Sequence, residues 1–211
     1  MLAYNRANPK LGKGIGSYSL LHQFNTNVSY ELPFGRGKLI GGGATGLFDK
    51  VIGGWQWNNI FYAQSGFPIT PLVGANRSGN GDTRFPDRPN MNPNFKGPVI
   101  LGVDAFKKTG LYYDPNAFLL PPAGTYGNLS RGRLRGPRLV NLDMSLHKRI
   151  PLTEQWNLQF RAEAFNILNS AHLNTPLAPV FDGASYSNLA GVITDTAARE
   201  RQIQFALRLE F

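Results

Sequence analysis

The sequence predicts an all-β protein: an antiparallel transmembrane β-barrel segment of about five strands, with long extracellular loops and short periplasmic turns. Three observations predict it. Apolar and polar residues alternate with period 2 in five separate stretches, as side chains pointing to opposite faces of a strand require. The connections between those stretches alternate between modest and very long, as in outer-membrane barrels. The composition of the 211 residues fits neither a helical bundle nor a disordered chain: 12% are aromatic, 24 are Gly, 15 are Pro, and only 17% are charged, against about 25% in ordinary soluble domains. No stretch has the roughly 20 predominantly apolar residues that a membrane helix needs.

The first strand is expected near 21–33, where Phe24, Thr26, Val28, Tyr30 and Leu32 alternate with Asn25, Asn27, Ser29 and Glu31. The second is expected at 54–67, with Trp55, Trp57, Phe61, Ala63 and Phe67 on one face and Gln56, Asn58, Tyr62 and Gln64 on the other. The third, at 139–150, sets Val140, Leu142, Met144, Leu146 and Ile150 against Asn141, Asp143, Ser145, His147 and Arg149. The fourth, at 155–168, sets Trp156, Leu158, Phe160, Ala162 and Ala164 against Asn157, Gln159, Arg161 and Glu163. The fifth, at 201–211, places Ile203, Phe205, Leu207, Leu209 and Phe211 on one face. Its length suits a tilted strand crossing a bilayer, which takes about 9–11 residues.

Residues 151–154 make the shortest connection and 34–53 a modest one rich in Gly; 68–138 and 169–200 are the long ones. Under a barrel reading the short turns are periplasmic, the long loops are extracellular, and residues 1–18 belong to a further outer connection. A soluble β-sandwich alternates in the same way and stays open at this point. Polar faces rich in Asn, Gln and Ser, and a connection as long as 68–138, weigh toward the barrel. Five strands cannot close a bilayer barrel alone, so the chain is expected to be part of a larger barrel or to assemble with other copies.

Several blocks, in this order, resemble one family. They are Asn27-Val-Ser-Tyr-Glu-Leu-Pro-Phe-Gly-Arg-Gly-Lys38, Gly53-Gly-Trp-Gln-Trp57 and Gly66-Phe-Pro-Ile69, then Arg135-Gly-Pro137 before Asn141-Leu-Asp143, Phe160-Arg-Ala-Glu-Ala-Phe-Asn-Ile-Leu-Asn169 and the terminal Phe211. Over residues 24–211 the chain resembles the TonB-dependent outer-membrane receptors, in particular their Oar-like branch. The resemblance implies a barrel of about 22 strands around a plug, with TonB engaging the plug to energise uptake or export. On this reading residues 1–211 are the C-terminal part of the barrel, without the plug, in a Gram-negative outer membrane. The partners it implies are membrane lipid and lipopolysaccharide, the barrel-assembly machinery, the rest of the barrel and plug, and TonB through the plug. The alternatives are a soluble β-rich binding module with basic loops, or a small outer-membrane subunit that oligomerises.

Three groups of residues are singled out. The resemblance makes Ile203, Phe205, Leu207, Leu209 and Phe211 a C-terminal assembly signal, which a factor could read by pairing with the strand edge. Trp55, Trp57, Phe61, Trp156 and Phe160 are candidate lipid-facing aromatics of the kind that girdle barrels. Arg131, Arg133, Arg135 and Arg138 are candidate contacts for lipopolysaccharide phosphates. A net charge of +9 raises nucleic-acid binding, yet no binding motif accompanies it, and no nucleic acid is expected. Asp82, Arg84, Asp87 and Arg88 match no EF-hand spacing and read as a polar turn. No enzyme is expected: Asp143, Ser145 and His147 share a strand face and point in parallel, whereas a catalytic triad converges. Neither a cofactor nor a metal site is expected, since there is no Cys and His22, His147 and His172 lack ligand spacing.

Overall fold

A computed structural model describes residues 5, 8–82, 84 and 87–211. Residues 1–4, 6 and 7 of the expected first connection, and 83, 85 and 86 of the long one, lie outside the described residues. The chain forms two compact units, whereas the sequence suggested a single barrel segment.

One unit comprises Gln23–Gln64, Leu139–Ala171 and Ala198–Phe211. Its five long strands are β1 (Gln23–Glu31), β2 (Trp55–Gln64), β3 (Leu139–Pro151), β4 (Asn157–Phe165) and β5 (Gln202–Glu210). They form one sheet in chain order, and every neighbouring pair is antiparallel. Among the described residues β1 and β5 do not pair with each other, so the sheet is open.

Most strand ends differ from the sequence reading by one or two residues, and the larger differences, in β2 and β4, have local reasons. β2 stops at Gln64 because the next residue leaves the ladder. The Ser65 N–H donates to the His22 carbonyl at 3.0 Å, and its Oγ accepts the Leu21 N–H at 3.0 Å. Phe67 therefore does not extend β2. β4 stops at Phe165 because Asn166 turns left-handed, with φ 48°, a conformation that Asn tolerates better than most residues. The Asn166 N–H donates to Asp143 Oδ1 at 2.8 Å, and its Nδ2 donates to the carbonyls of Ser170 and Arg199 at 3.1 and 3.2 Å. β4 begins at Asn157 because the Trp156 carbonyl closes the turn, accepting the Leu152 and Thr153 N–H groups at 2.9 and 3.2 Å. Trp156 thus precedes its expected strand, and Phe211 follows the end of β5.

The β1–β2 connection is built rather than slack. It contains α1 (Gly46–Ile52). Gly35, at φ +106°, lets the chain cross Gly53, since a Cβ there would lie 2.6 Å from the Gly53 Cα. Asp49 Oδ1 accepts the Arg36 N–H at 2.6 Å, and the Trp55 indole donates to the Val51 carbonyl at 3.0 Å.

The other unit comprises the described residues up to His22 with Ser65–Arg138 and His172–Ala197. Most of the fully buried apolar residues lie here, including Ile69, Tyr113, Phe118, Leu129, Leu134, Val180 and Phe181. The sequence reading made these regions long loops. They are instead pinned by two-residue strand pairs, Pro68–Ile69 with Leu134–Arg135 and Asn90–Met91 with Phe118–Leu119. One short helix, α2 (Val103–Thr109), ends on Gly110 at φ 72°, the usual left-handed C-terminal stop. The buried Tyr113 ring meets Phe118 edge-on at 5.8 Å, and its hydroxyl donates to the Leu177 carbonyl at 2.9 Å. The hydroxyls of Tyr112 and Tyr186 donate to the carbonyls of Arg135 and Phe118, each at 2.8 Å. Period-2 alternation could not show this core, because its residues are scattered between turns rather than spaced along strands.

Candidate functional site

The register converts five separate alternations into two continuous faces. Along one row Tyr30, Trp57, Leu146, Ala162 and Phe205 are successive partners; along the next but one, Thr26, Phe61 and Leu142. Residues two apart share a face, so Phe24, Trp55, Ala63, Met144, Phe160, Leu207 and Leu209 join them. Ring contacts span the strands on this face: Phe24 with Phe61 at 6.0 Å, and Phe160 stacked with Phe205 at 6.2 Å. On β5 it lies open, with Phe205 71% and Leu207 70% exposed. Thr26, Asn59 and Lys148 are the polar residues that interrupt it among the paired positions. Asn59 lies mid-strand opposite Val28 and Met144. Lys148 lies near the strand end, its Nζ 4.8 Å over the Trp55 ring and donating to the Gly53 carbonyl. A stem lying along an aromatic, with the ammonium at the strand end, satisfies this charge.

The opposite face is polar and internally bonded. Ser29, Asn58, Ser145, Glu163 and Gln204 are partners in one row across all five strands. Ser29 Oγ donates to Asn58 Oδ1 at 2.7 Å, and Gln56 Nε2 donates to Ser29 Oγ at 2.6 Å. Asn58 Nδ2 donates to Ser145 Oγ at 3.3 Å and lies 3.5 Å from His147 Nδ1. His147 Nε2 is 3.8 Å from Glu163 Oε1, and the same carboxylate accepts from Gln204. Each strand alone shows only polar alternation; their register, which no single segment encodes, makes this row. Ser145 and His147 bond sideways to Asn58 rather than to each other.

Trp55, Trp57, Phe61 and Phe160 all lie on the apolar face. Trp156 is in the turn before β4 and packs against Phe211, ring centres 5.2 Å apart. Ile203, Phe205, Leu207 and Leu209 line the same face on the open edge strand.

The four arginines have different surroundings. Arg135 Nη1 donates to the Ser19 and Gly66 carbonyls at 2.6 and 3.4 Å. The Arg131 carbonyl accepts the Ile15 N–H at 3.2 Å. Arg133 and Arg138 are exposed. Elsewhere, Arg84 Nη2 donates to Asp82 Oδ2 at 2.6 Å, and this guanidinium holds the Asp82 carboxyl down at about 2. The Asp87 carboxylate is buried and accepts the Ser78 N–H and hydroxyl at 2.6 and 3.0 Å.

Comparison with known proteins found no similar curated protein and no similar solved structure. A family model described as the outer membrane beta barrel domain matches residues 1–204. That match removes the soluble sandwich as a reading of the two-faced sheet. The chain belongs to the outer membrane beta barrel domain family.

Proposed function

We propose that this chain is the C-terminal wall segment of a TonB-dependent outer-membrane transporter of the Oar-like type. The observation that carries the reading is the sheet itself: one largely apolar face, and one polar row across five strands, hydrogen-bonded from β1 to β3 and from β4 to β5. The apolar face suits lipid and the polar face a water-filled, plug-containing lumen. In hydrocarbon every backbone group needs a partner, so the free edges of β1 and β5 call for further strands from the same barrel. The segment performs no chemistry on a substrate; it lines the path and anchors the wall. The blocks from Asn27 to Lys38 and from Phe160 to Asn169, similar to the Oar-like branch, support the finer assignment.

An antibody to the C-terminal peptide ending in Phe211 tests this on separated outer-membrane and soluble fractions. The expected band lies in the outer membrane, far above the 23.3 kDa of these residues. A 23.3 kDa band in the outer membrane would replace the reading with an oligomerising subunit, and a soluble band of that size would overturn both.

A further inference from the structure

The β1–β2 connection exposes far more apolar surface than a turn in water needs. Leu39 is 88% exposed and Leu47 82%, and Phe48 and Val51 are exposed too. Phe48 and Val51 line a groove of 520 Å³ whose other walls include Leu32, Phe34, Trp55 and Leu146. Trp55 and Leu146 belong to the sheet's apolar face, so the groove continues the surface that barrel membership gives to lipid. A second recess, of 400 Å³, shares Phe34 with the first. Arg36, Lys38, Lys50 and Arg149 line it, with Asp49 as its one carboxylate. Asp49 already accepts the Arg36 N–H, and Lys38 pairs with Glu31 at 2.9 Å. Among the described residues, Arg36, Lys50 and Arg149 make no ion pair.

An apolar slot beside a cationic recess fits an amphiphile with an acyl chain and a phosphate. Short amphipathic helices with Phe and Leu on one side and Lys on the other embed at the headgroup boundary, and arginine pairs bidentately with phosphate. The location names the source. Pro151 and Asn157 bound the shortest strand-to-strand turn, and the cationic recess touches both. In barrels of this class such turns are periplasmic, so the adjoining leaflet is the inner one, made of glycerophospholipid rather than lipopolysaccharide.

We propose that residues 32–54, with Arg149, bind a single inner-leaflet glycerophospholipid: an acyl chain lies along α1 and the strand ends, and the phosphate sits between Arg36 and Arg149. The proposal rests on barrel membership and not on transport, so failure of the TonB assignment leaves it standing. The test uses the chain purified in detergent from outer membranes at the length it has there, delipidated, and followed by native mass spectrometry. Dioleoylphosphatidylglycerol is expected to bind at least about tenfold more tightly than dioleoylglycerol, which lacks the phosphate. The joint variant Arg36→Gln/Arg149→Gln is expected to lose that preference, and Arg36→Lys/Arg149→Lys to keep most of it. Phe48→Ser/Val51→Ser is expected to weaken both lipids. Retained preference in the Gln variant, tighter binding of lipid A, or pairing of two chains in place of lipid would each overturn the proposal. Should the Gln variant fail to fold, a photoreactive phosphatidylglycerol on the unaltered chain decides: label on residues 32–54 supports the site, and label only elsewhere refutes it.

Discussion

Tyr113 shows how much one side chain in a connection can hold. Its ring is fully buried, its hydroxyl is bonded to Leu177, and burial pushes its phenol up to about 12. Tyr112, beside it, is pushed up to about 12 by the same cause. Burial disfavours the charged phenolate. The folded state therefore keeps these protons above pH 10.0, where the unfolded chain releases them. Their contribution to stability is complete below the ordinary tyrosine value and is lost as pH rises from 10 toward 12. Tyr113→Phe is expected to cost about 1 kcal/mol by loss of one buried hydrogen bond. It should also reduce the loss of stability over that alkaline window. Denaturant titrations of both forms at rising pH, with tyrosinate absorbance as a second readout, check the claim. Nothing in the sequence around Tyr113 announces this role, since burial depends on partners as distant as Leu177.

At the scale of the strand, local pattern and observed structure agree best. Alternation alone separated Leu207 from Arg208 and Trp57 from Asn58, and the ladder puts them on opposite faces. Alternation missed Asn59, which sits among apolar neighbours, and Lys148, whose place depends on Trp55 across the ladder. It also ran β4 through Asn166, because a left-handed residue leaves no periodic trace. The two faces give opposite expectations for charge. Leu207→Arg should destabilise the barrel by about 2–4 kcal/mol if the residue lies near the bilayer midplane, and by less toward the headgroups. Arg208→Leu, on the polar face, should change stability much less. Urea unfolding in lipid vesicles compares the two, and equal costs would count against a lipid-facing apolar side.

For the whole molecule, sequence reading captured the class, and the family match supports it over residues 1–204. The polar row and the core between the turns were not legible, because both are made by contacts among segments far apart in the chain. Phe211 belongs to this scale, since its proposed partner is the assembly machinery. Deleting it removes the ring packed on Trp156 and the last aromatic of the alternating series that an assembly factor would read beside the edge strand. Removing Phe211 from the parent protein should lower its yield in the outer membrane; unchanged assembly, measured by heat-modifiable migration on gels, would discard the signal.

The core formed between Ile69 and Phe181 has a consequence for how such a protein can diversify. Surface connections usually accept changes of length freely. A connection that carries its own packed interior does not, because an inserted residue beside Phe118 or Leu134 displaces buried rings and paired backbone. At Gly66 or Gly127 even a Cβ would lie 1.9 Å from a carbonyl oxygen. Open space surrounds Gly79, Gly81, Gly124 and Gly183, but φ there is between 62° and 77°, so these turn tips suit added length better than a side chain in place of the glycine. Changes of length would enter at those turn tips and leave the interior between them unchanged.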